Sequence, residues 1–464
     1  MPQRGVAKRA AGDWEGGPSR EGPSQGVTPQ TLPVLTPADL VAALSQGLDL
    51  AEGRPMGHAQ RVCYVAGSLA EELGLSSQLR LALYYASLFH DIAVPLASAG
   101  LSTIVGISED ALFAASPLRQ PEELAAESTP AAHQAIIQAF HQHCILGARS
   151  VEPFGLADEV SAIIAAHHEN WDGGGYALGM EGEEIPLGAR VLAVADRVEA
   201  LIAAEPSPLA SRRSLASALG ELSGRVLDPG LVEAARPLCR RDSFWLGLHN
   251  DHLAASLLAM KPAEAARRGK EHLLRFAEAF GAVVDARSQY TLGHSRRVAE
   301  ASVALARALG LQGEHVRLVQ AAAFLHDIGH LGVPPRVIAK ADILNVGEMH
   351  LLRQHPVYSQ RILEDLPAAG PLALWVGAHH ERPDGKGYPQ MTSGGEIPLE
   401  ARILAVANVY AALTSDRPYR GALGRDDALQ VMRGAAGTQL DAELVDLFCS
   451  MAATDLNRAV SVRR

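Results

Sequence analysis

The chain has 464 residues, 48% of them apolar and 20% charged, and a formal net charge of −11 at pH 7. That balance describes a globular chain of roughly two to four domains. It excludes nucleic-acid binding through overall charge, and no basic run supplies a local substitute. Cys63, Cys144, Cys239 and Cys449 lie far apart without a CxxC pair, so they read as buried small hydrophobes in a reducing cytoplasm. No apolar window reaches the ~18 residues of a membrane-crossing helix. The basic N-terminus lacks the apolar stretch of a secretory signal.

Residues 1 to about 35 are rich in Gly, Pro, Ser and Arg without apolar periodicity, which predicts a disordered tail. Helical patterning begins at Thr36-Pro37-Ala38-Asp39, an N-cap followed by proline, with Leu40, Val41, Leu44 and Leu48 behind it. Arg61 to Leu73 and Ser77 to Phe89 continue with apolar residues three and four apart. The segment near 96–130, with Gly100, Gly106, Pro117, Pro121 and Pro130, predicts an inserted loop holding one short helix. Helices are predicted again over Ala131 to Val151, Ala157 to His168, Pro186 to Glu199 and Leu215 to Leu238, the last broken at Asp228-Pro229-Gly230. Residues 242–270 predict a helical connection. A second helical unit over 271–464 then repeats the order, so the fold class is all-α with two tandem domains, 36–241 and 271–464.

The repeat is carried by residues with metal chemistry. His58, His90 and Asp91 map onto His294, His326 and Asp327 by adding 236; His143, His167, His168 and Asp196 map onto His355, His379, His380 and Asn408 by adding 212. A lone histidine on an apolar helix is ordinarily a core or surface residue, and a lone His-Asp pair says little more. Six of seven positions keeping their identity in register is the signature of a duplicated metal-binding unit. Five imidazoles and two carboxylates in the first unit suit Mn, Fe, Co, Ni or Zn, and the lack of thiolates argues against a purely structural zinc site. Seven ligands exceed one tetrahedral site, which predicts two adjacent ions bridged by Asp91. Such a pair suits phosphoester hydrolysis, although an iron pair could also activate oxygen. After each His-His pair comes a glycine-rich loop, Asp172-Gly173-Gly174-Gly175-Tyr176 and Asp384-Gly385-Lys386-Gly387-Tyr388-Pro389. Ordinarily these are turns. Their repetition makes Asp172, Gly173, Tyr176, Asp384, Gly385, Gly387 and Tyr388 candidate substrate contacts, with Tyr388 placed to stack on a base. Lys340, Arg382 and Lys386 are candidate phosphate contacts.

The second unit resembles the HD-GYP branch of the HD metal-dependent phosphohydrolases. The resemblance rests on His326-Asp327-Ile328-Gly329-His330, on His379-His380-Glu381-Arg382-Pro383-Asp384-Gly385-Lys386-Gly387-Tyr388-Pro389, and on Arg402 to Arg420 with Leu440-Asp441. The first unit is similar to a diverged copy. This resemblance implies a helical HD fold, a centre of two or three ions with Mn or Fe the leading candidates, and phosphodiesterase action on cyclic di-GMP or a related cyclic dinucleotide. It also implies a bacterial cytoplasmic protein that pairs through its helices into a homodimer. The implied second-unit ligands are His294, His326, Asp327, His355, His379 and His380.

Neither copy matches the family pattern throughout. Asn408 stands where the family has its last metal-binding aspartate, and His330 where it has lysine; in the first unit Ala93-Val94 replaces Gly-Lys and Ala177 replaces the proline. The expected division is hydrolysis in the first unit, with Asp91 central, and nucleotide binding with weak or no turnover in the second, around Asp327. Two rivals follow from the same residues: a degenerate regulatory or binding protein, and a phosphohydrolase acting on a nucleotide or phosphomonoester.

Overall fold

The computed structural model describes residues 36–97, 126, 128–204, 208–248, 253–262, 270–288, 290–338, 340–364, 369–417 and 420–454. The predicted tail and most of the predicted insertion lie outside the described residues. Among those described, secondary structure is helical, apart from three isolated β-bridges.

In chain order the helices are α1 (Pro37–Ala51), α2 (His58–Glu72), α3 (Ser77–Phe89), α4 (Val94–Ala97), α5 (Pro130–Ser150), α6 (Asp158–Ala166), α7 (Leu187–Ala203), α8 (Pro208–Leu222) and α9 (Pro229–Arg240). The connection holds α10 (Asp242–Leu248) and α11 (Leu253–Met260). There follow α12 (Lys270–Asp285), α13 (His294–Ala308), α14 (Gly313–Leu325), α15 (Pro335–Ile338), α16 (Val346–Leu352), α17 (His355–Glu364), α18 (Gly370–Gly377), α19 (Leu399–Leu413), α20 (Arg425–Ala435) and α21 (Ala442–Thr454). Local chemistry starts several of them. Thr36 and Asp39 form a reciprocal capping box on α1, and Asn345 and Glu348 form another on α16. Ser76, Thr129 and Asp228 cap α3, α5 and α9 through their side-chain oxygens.

The two copies share one core, because the first helix of each packs on both its own copy and the other. Helix α1 packs on the second copy's 3-10 turn Ile328–Gly332 and on α17, while α12 packs on the first copy's turn Glu152–Phe154. A Cβ on Gly47 would stand 3.0 Å from Leu331 and 3.2 Å from Ile362, so this small residue sets how closely α1 approaches. Opposite it, Phe89, Phe154, Phe276 and Phe280 are fully buried with ring centroids 4.7–5.5 Å apart. Fully burying a phenylalanine contributes about 1.5–3 kcal/mol, so these rings tie both copies together. No helix among the described residues is long and apolar enough to cross a membrane.

Candidate metal centres

Both copies position their first histidine with the same device. In the first, Asp49 accepts the N–H groups of Gly57 at 2.6 Å and Ala59 at 3.0 Å, one on each side of His58. In the second, Asp285 accepts Ser295 N–H at 3.0 Å and its hydroxyl at 2.8 Å, just beyond His294. Gly57 and Gly293 precede the two histidines with φ of 93° and 69°, the left-handed region where a side chain is strained. Neither aspartate stands out in the sequence, since each sits within or at the end of a helical pattern.

Six imidazoles then share one orientation. Nδ1 of His90, His143, His167, His326, His355 and His379 bonds the carbonyl three residues earlier, at 2.5–2.8 Å. A carbonyl only accepts, so each Nδ1 carries a proton, and a ring in its neutral form presents its Nε2 lone pair. Those Nε2 atoms converge on one carboxylate in each copy. Asp91 has His90 at 3.0 Å, His143 at 3.6 Å and His167 at 3.7 Å. Asp327 has His326 at 3.2 Å, His355 at 3.4 Å, His379 at 3.7 Å and His294 at 3.8 Å. The Nε2 atoms of His355 and His379 face each other at 3.3 Å.

Lone pairs aimed at lone pairs and at carboxylate oxygens repel unless a cation lies among them. His58 Nε2, His90 Nε2, His167 Nε2, His326 Nε2, Asp196 Oδ1 and Asp327 Oδ1 are buried without a hydrogen-bond partner, an arrangement that costs about 1–3 kcal/mol per atom when nothing else binds there. The donor atoms fall into overlapping groups. Asp91 belongs to one group with His143, His167 and His168 and to another with His58 and His90; Asp327 belongs to one with His294 and His326 and to another with His330 and His355. His355, His379 and His380 form a further group. Each carboxylate is therefore the shared element between two ion-sized positions, and the residues present fit transition ions.

Charge follows the same layout. Burial disfavours a charged His90, but Asp91 and then Asp196 outweigh it and raise it to about 9. Burial takes His143 down to about 4 against the pull of Asp91, and it takes His380 to about 4 and His294 to about 3 in the same way. Most ligands are therefore held neutral, as metal binding requires.

The two centres differ at their first-histidine end. His58 Nδ1 meets Glu199 Oε2 at 2.6 Å, and Arg61 holds the other oxygen at 2.8 Å. Burial acts to raise Glu199, yet His58 and Arg61 lower it to about 2, so it stays charged and orients the ring. Asp196 lies 3.7 Å from His58 Nε2. Beside them, buried Glu52 pairs with Arg54 at 3.1 Å, and the Arg54 guanidinium reaches to 3.4 Å from His58 Nδ1. In the second copy the places of Glu199, Glu52 and Arg54 are taken by Ala411, Ser288 and Tyr290. There Asn408 Oδ1 lies 3.1 Å from His294 Nε2, and His294 Nδ1 is buried without a hydrogen-bond partner. Asn408 thus faces the Nε2 of the first histidine as Asp196 does in the first copy, where Asp196 itself lies outside the clustered donor groups of the described residues.

The glycine loops are chiefly self-supporting. Exposed Asp172 accepts Gly174 N–H at 2.9 Å, and Asp384 accepts Lys386 N–H at 3.1 Å, so each closes its own turn. Gly173 and Gly385 supply left-handed φ of 76° and 70°. The close approach at Gly387 is to protein backbone, not to a ligand: a Cβ there would lie 2.5 Å from Arg382 N and 2.7 Å from His380 O. Tyr176 stacks on His168 at 4.9 Å and Tyr388 on His380 at 4.8 Å. The Arg353 guanidinium lies 5.2 Å from the Tyr388 centroid, so the face expected to meet a base is already in contact with protein and supports a metal ligand. Arg353 was not singled out by the sequence.

A cavity of about 130 Å³ adjoins the second centre, lined among others by Arg353, His380, Arg382, Lys386, Tyr388 and Asn408. Arg382 is held by Asp384 at 2.6 and 2.9 Å. Lys340 lies off this lining, with its ammonium 2.6 Å from Glu348. In the first copy a small cleft of about 10 Å³ lies beside Glu169, Arg190 and Asp228, and none of that copy's metal-type histidines lines it. Trp171 stands there at the place of Pro383, with the Arg190 guanidinium 5.6 Å from its ring centroid.

Comparison with known proteins agrees with this architecture. The HD domain family profile matches residues 111–229 and 274–444. The chain is 30% identical over 454 residues to 3′3′-cGAMP-specific phosphodiesterase 3 of Vibrio cholerae serotype O1, covering 90% of this chain and 94% of that protein. It is 37% identical over 188 residues to the cyclic di-GMP phosphodiesterase response regulator RpfG of Xanthomonas campestris pv. campestris, covering 39% and 48%. Among solved structures, that of the cyclic GMP-AMP specific phosphodiesterase V-cGAP3 of V. cholerae superposes with a TM-score of 0.64 at 28% identity, over 90% of this chain and 98% of that one. The chain belongs to the HD domain family, in its HD-GYP branch, as a tandem pair with a diverged N-terminal copy. It is a metal-dependent phosphohydrolase.

Proposed function

We propose that the chain hydrolyses a cyclic dinucleotide with 3′,3′ linkages to its linear form, at a centre of two Mn or Fe ions. The observation that carries this reading is the convergence of carbonyl-fixed imidazoles, through their Nε2 atoms, on Asp91 and on Asp327. The duplicated units are taken as 36–241 and 271–464, joined by 242–270. The full-length similarity to a 3′3′-cGAMP-specific enzyme makes 3′3′-cGAMP the first substrate to test, ahead of the cyclic di-GMP that the motifs alone suggested.

In this reading the first copy is the hydrolytic one. His58, His90, Asp91, His143, His167 and His168 would hold the ions, with Asp196 beside His58 as a further carboxylate, and Glu199 fixes the His58 ring. When bound, the ions acidify water and offset charge on the phosphoryl oxygens. The chain's own contribution is placement: the carbonyl bonds lock the rings, Asp91 fixes the spacing of the two positions, and burial excludes competing solvent. Water adds to phosphorus, the bond to the bridging 3′ oxygen breaks, and that oxygen leaves with a proton. In the second copy, Arg353, Arg382 and Lys386 offer cations to nucleotide phosphates beside a centre that has lost a carboxylate. That supports binding there with little turnover.

The proposed setting is the bacterial cytoplasm, which the four free, buried cysteines support. A free nucleotide, not a nucleic acid, is the proposed ligand of a chain carrying −11 charges. Pairing of two chains through their helices is proposed from the family resemblance, and light scattering decides it. The activity test is product analysis with 3′3′-cGAMP, cyclic di-GMP and a nucleoside monophosphate side by side. The expected result is a linear dinucleotide, lost with a chelator and restored by Mn²⁺. Release of phosphate from the monophosphate alone would overturn the substrate class.

A further inference from the structure

The second copy has lost ligand charge at one end of its centre and gained an imidazole at the other. At the His294 end, Asn408 replaces an aspartate and occupies Nε2, while nothing matches Glu199 behind the ring. At the opposite end His330 approaches Asp327 Oδ1, its Nε2 lying 3.5 Å away, next to His355 at 3.4 Å from the same oxygen. The His330 ring stacks on that of His355 at 4.1 Å and 17°, so the two rings lie almost parallel beside one carboxylate oxygen.

His330 is held there by backbone. Its N–H bonds Asp327 O at 2.9 Å within the turn Ile328–Gly332, and its own carbonyl accepts from Arg287. Asp327 Oδ1 and His330 Nδ1 are both buried without a hydrogen-bond partner. The fold does not demand histidine at this position, because the first copy has Val94 there, packed among Ile136, Phe140 and Cys144.

We propose that the second centre holds a divalent transition ion at Asp327, His330 and His355, a position that the first copy lacks. This rests on the metal-centre reading above and moves the second copy's ion away from the weakened His294–Asn408 end. An aspartate oxygen and two imidazoles make a three-ligand set of the kind that transition ions accept with further coordination positions left over.

The test uses the full chain, stripped of metal and titrated with Co²⁺ under absorption spectroscopy. His330→Cys places a thiolate at the same position. A thiolate-to-cobalt charge-transfer band is expected in that variant and absent in Val94→Cys, which serves as the control. With the first centre disabled by Asp91→Ala, His330→Ala is expected to weaken Co²⁺ binding at least about tenfold, and His294→Ala to weaken it less. No charge-transfer band, or a larger loss from His294→Ala, overturns the proposal. Failure of the wild type to bind Co²⁺ at all would strike the metal-centre reading itself, so the two failures are distinguishable. The His330→Cys arm keeps the test open should Asp91→Ala not fold.

Discussion

The centre around Asp91 is the richer in buried charged groups, whereas the centre around Asp327 is poorer in them and adjoins a cavity bordered by cations. Around the first, Asp196, Glu199, Glu52 and Arg54 surround His58 in a buried network. Around the second, an amide replaces one of those carboxylates, and three cations border a cavity of about 130 Å³. Duplication thus separates two demands that conflict within one site. Tight metal binding favours buried, mutually satisfied charge, while nucleotide recognition needs cations beside accessible space. Their shared core, bridged by α1 and α12, holds the two copies together.

The sharpest break of this contrast is catalytic. Asp91→Ala is expected to reduce kcat/KM at least about a thousandfold, on the scale of losing a principal electrostatic group, while Asp327→Ala costs less than about tenfold. Steady-state assays on the proposed substrate decide it, and the reverse order would assign hydrolysis to the second copy. Next in size is Glu199→Gln, which keeps shape but removes the charge that orients His58. A loss of about 10–100-fold in first-centre metal affinity is expected, read by competition with a chromophoric chelator. In the opposite direction, Asn408→Asp restores a carboxylate to the second copy and is expected to raise its metal affinity by about tenfold. The smallest effect is that of Arg353→Ala, which frees one face of Tyr388. It is expected to raise the dissociation constant for nucleotide about tenfold, for a lost charge-assisted contact, with metal content unchanged.

Protons act alike on both copies, each of which holds depressed histidines and one raised by its aspartate, His90 beside Asp91 and His326 beside Asp327. His294 and His380 are depressed to about 3 and 4 by burial, as is His143 to about 4 in the first copy. The unfolded chain, with histidine near 6.5, binds protons that these folded groups refuse. Their contribution therefore falls as pH drops from about 6.5 toward 4. His90, raised to about 9, acts in the opposite sense and loses its contribution as pH rises from about 6.5 through 9. The melting temperature of the metal-free protein is expected to fall on the acid side, and Asp91→Ala, which removes the principal support of His90, is expected to flatten the alkaline side.

Much of this was legible because the informative residues repeat. Helical periodicity and caps such as Thr36-Pro37 mark the elements, and the two offsets mark the histidines and aspartates that the structure brings together. What the sequence hides is whatever lacks a motif. Glu199 looks like any exposed helical glutamate until the fold turns it onto His58, 141 residues away. Glu52 and Arg54 sit in an unpatterned loop. Tyr388 and Gly387 are conspicuous as letters, yet they pack against His380 and its backbone, because a stacked ring and a close backbone approach serve loop closure as readily as ligand contact. The bridging of the copies by α1 and α12 is invisible to periodicity, which fixes the apolar face of a helix but not the partner that covers it.

Elemental analysis of anaerobically purified protein, with Asp91→Ala and Asp327→Ala beside the wild type, tests the inequality of the two centres most directly. The account predicts about two transition ions at the bridged first centre that disappear only in Asp91→Ala, and a further ion that disappears only in Asp327→Ala. Metal that survives Asp91→Ala in full but vanishes entirely in Asp327→Ala, in folded protein, would contradict it.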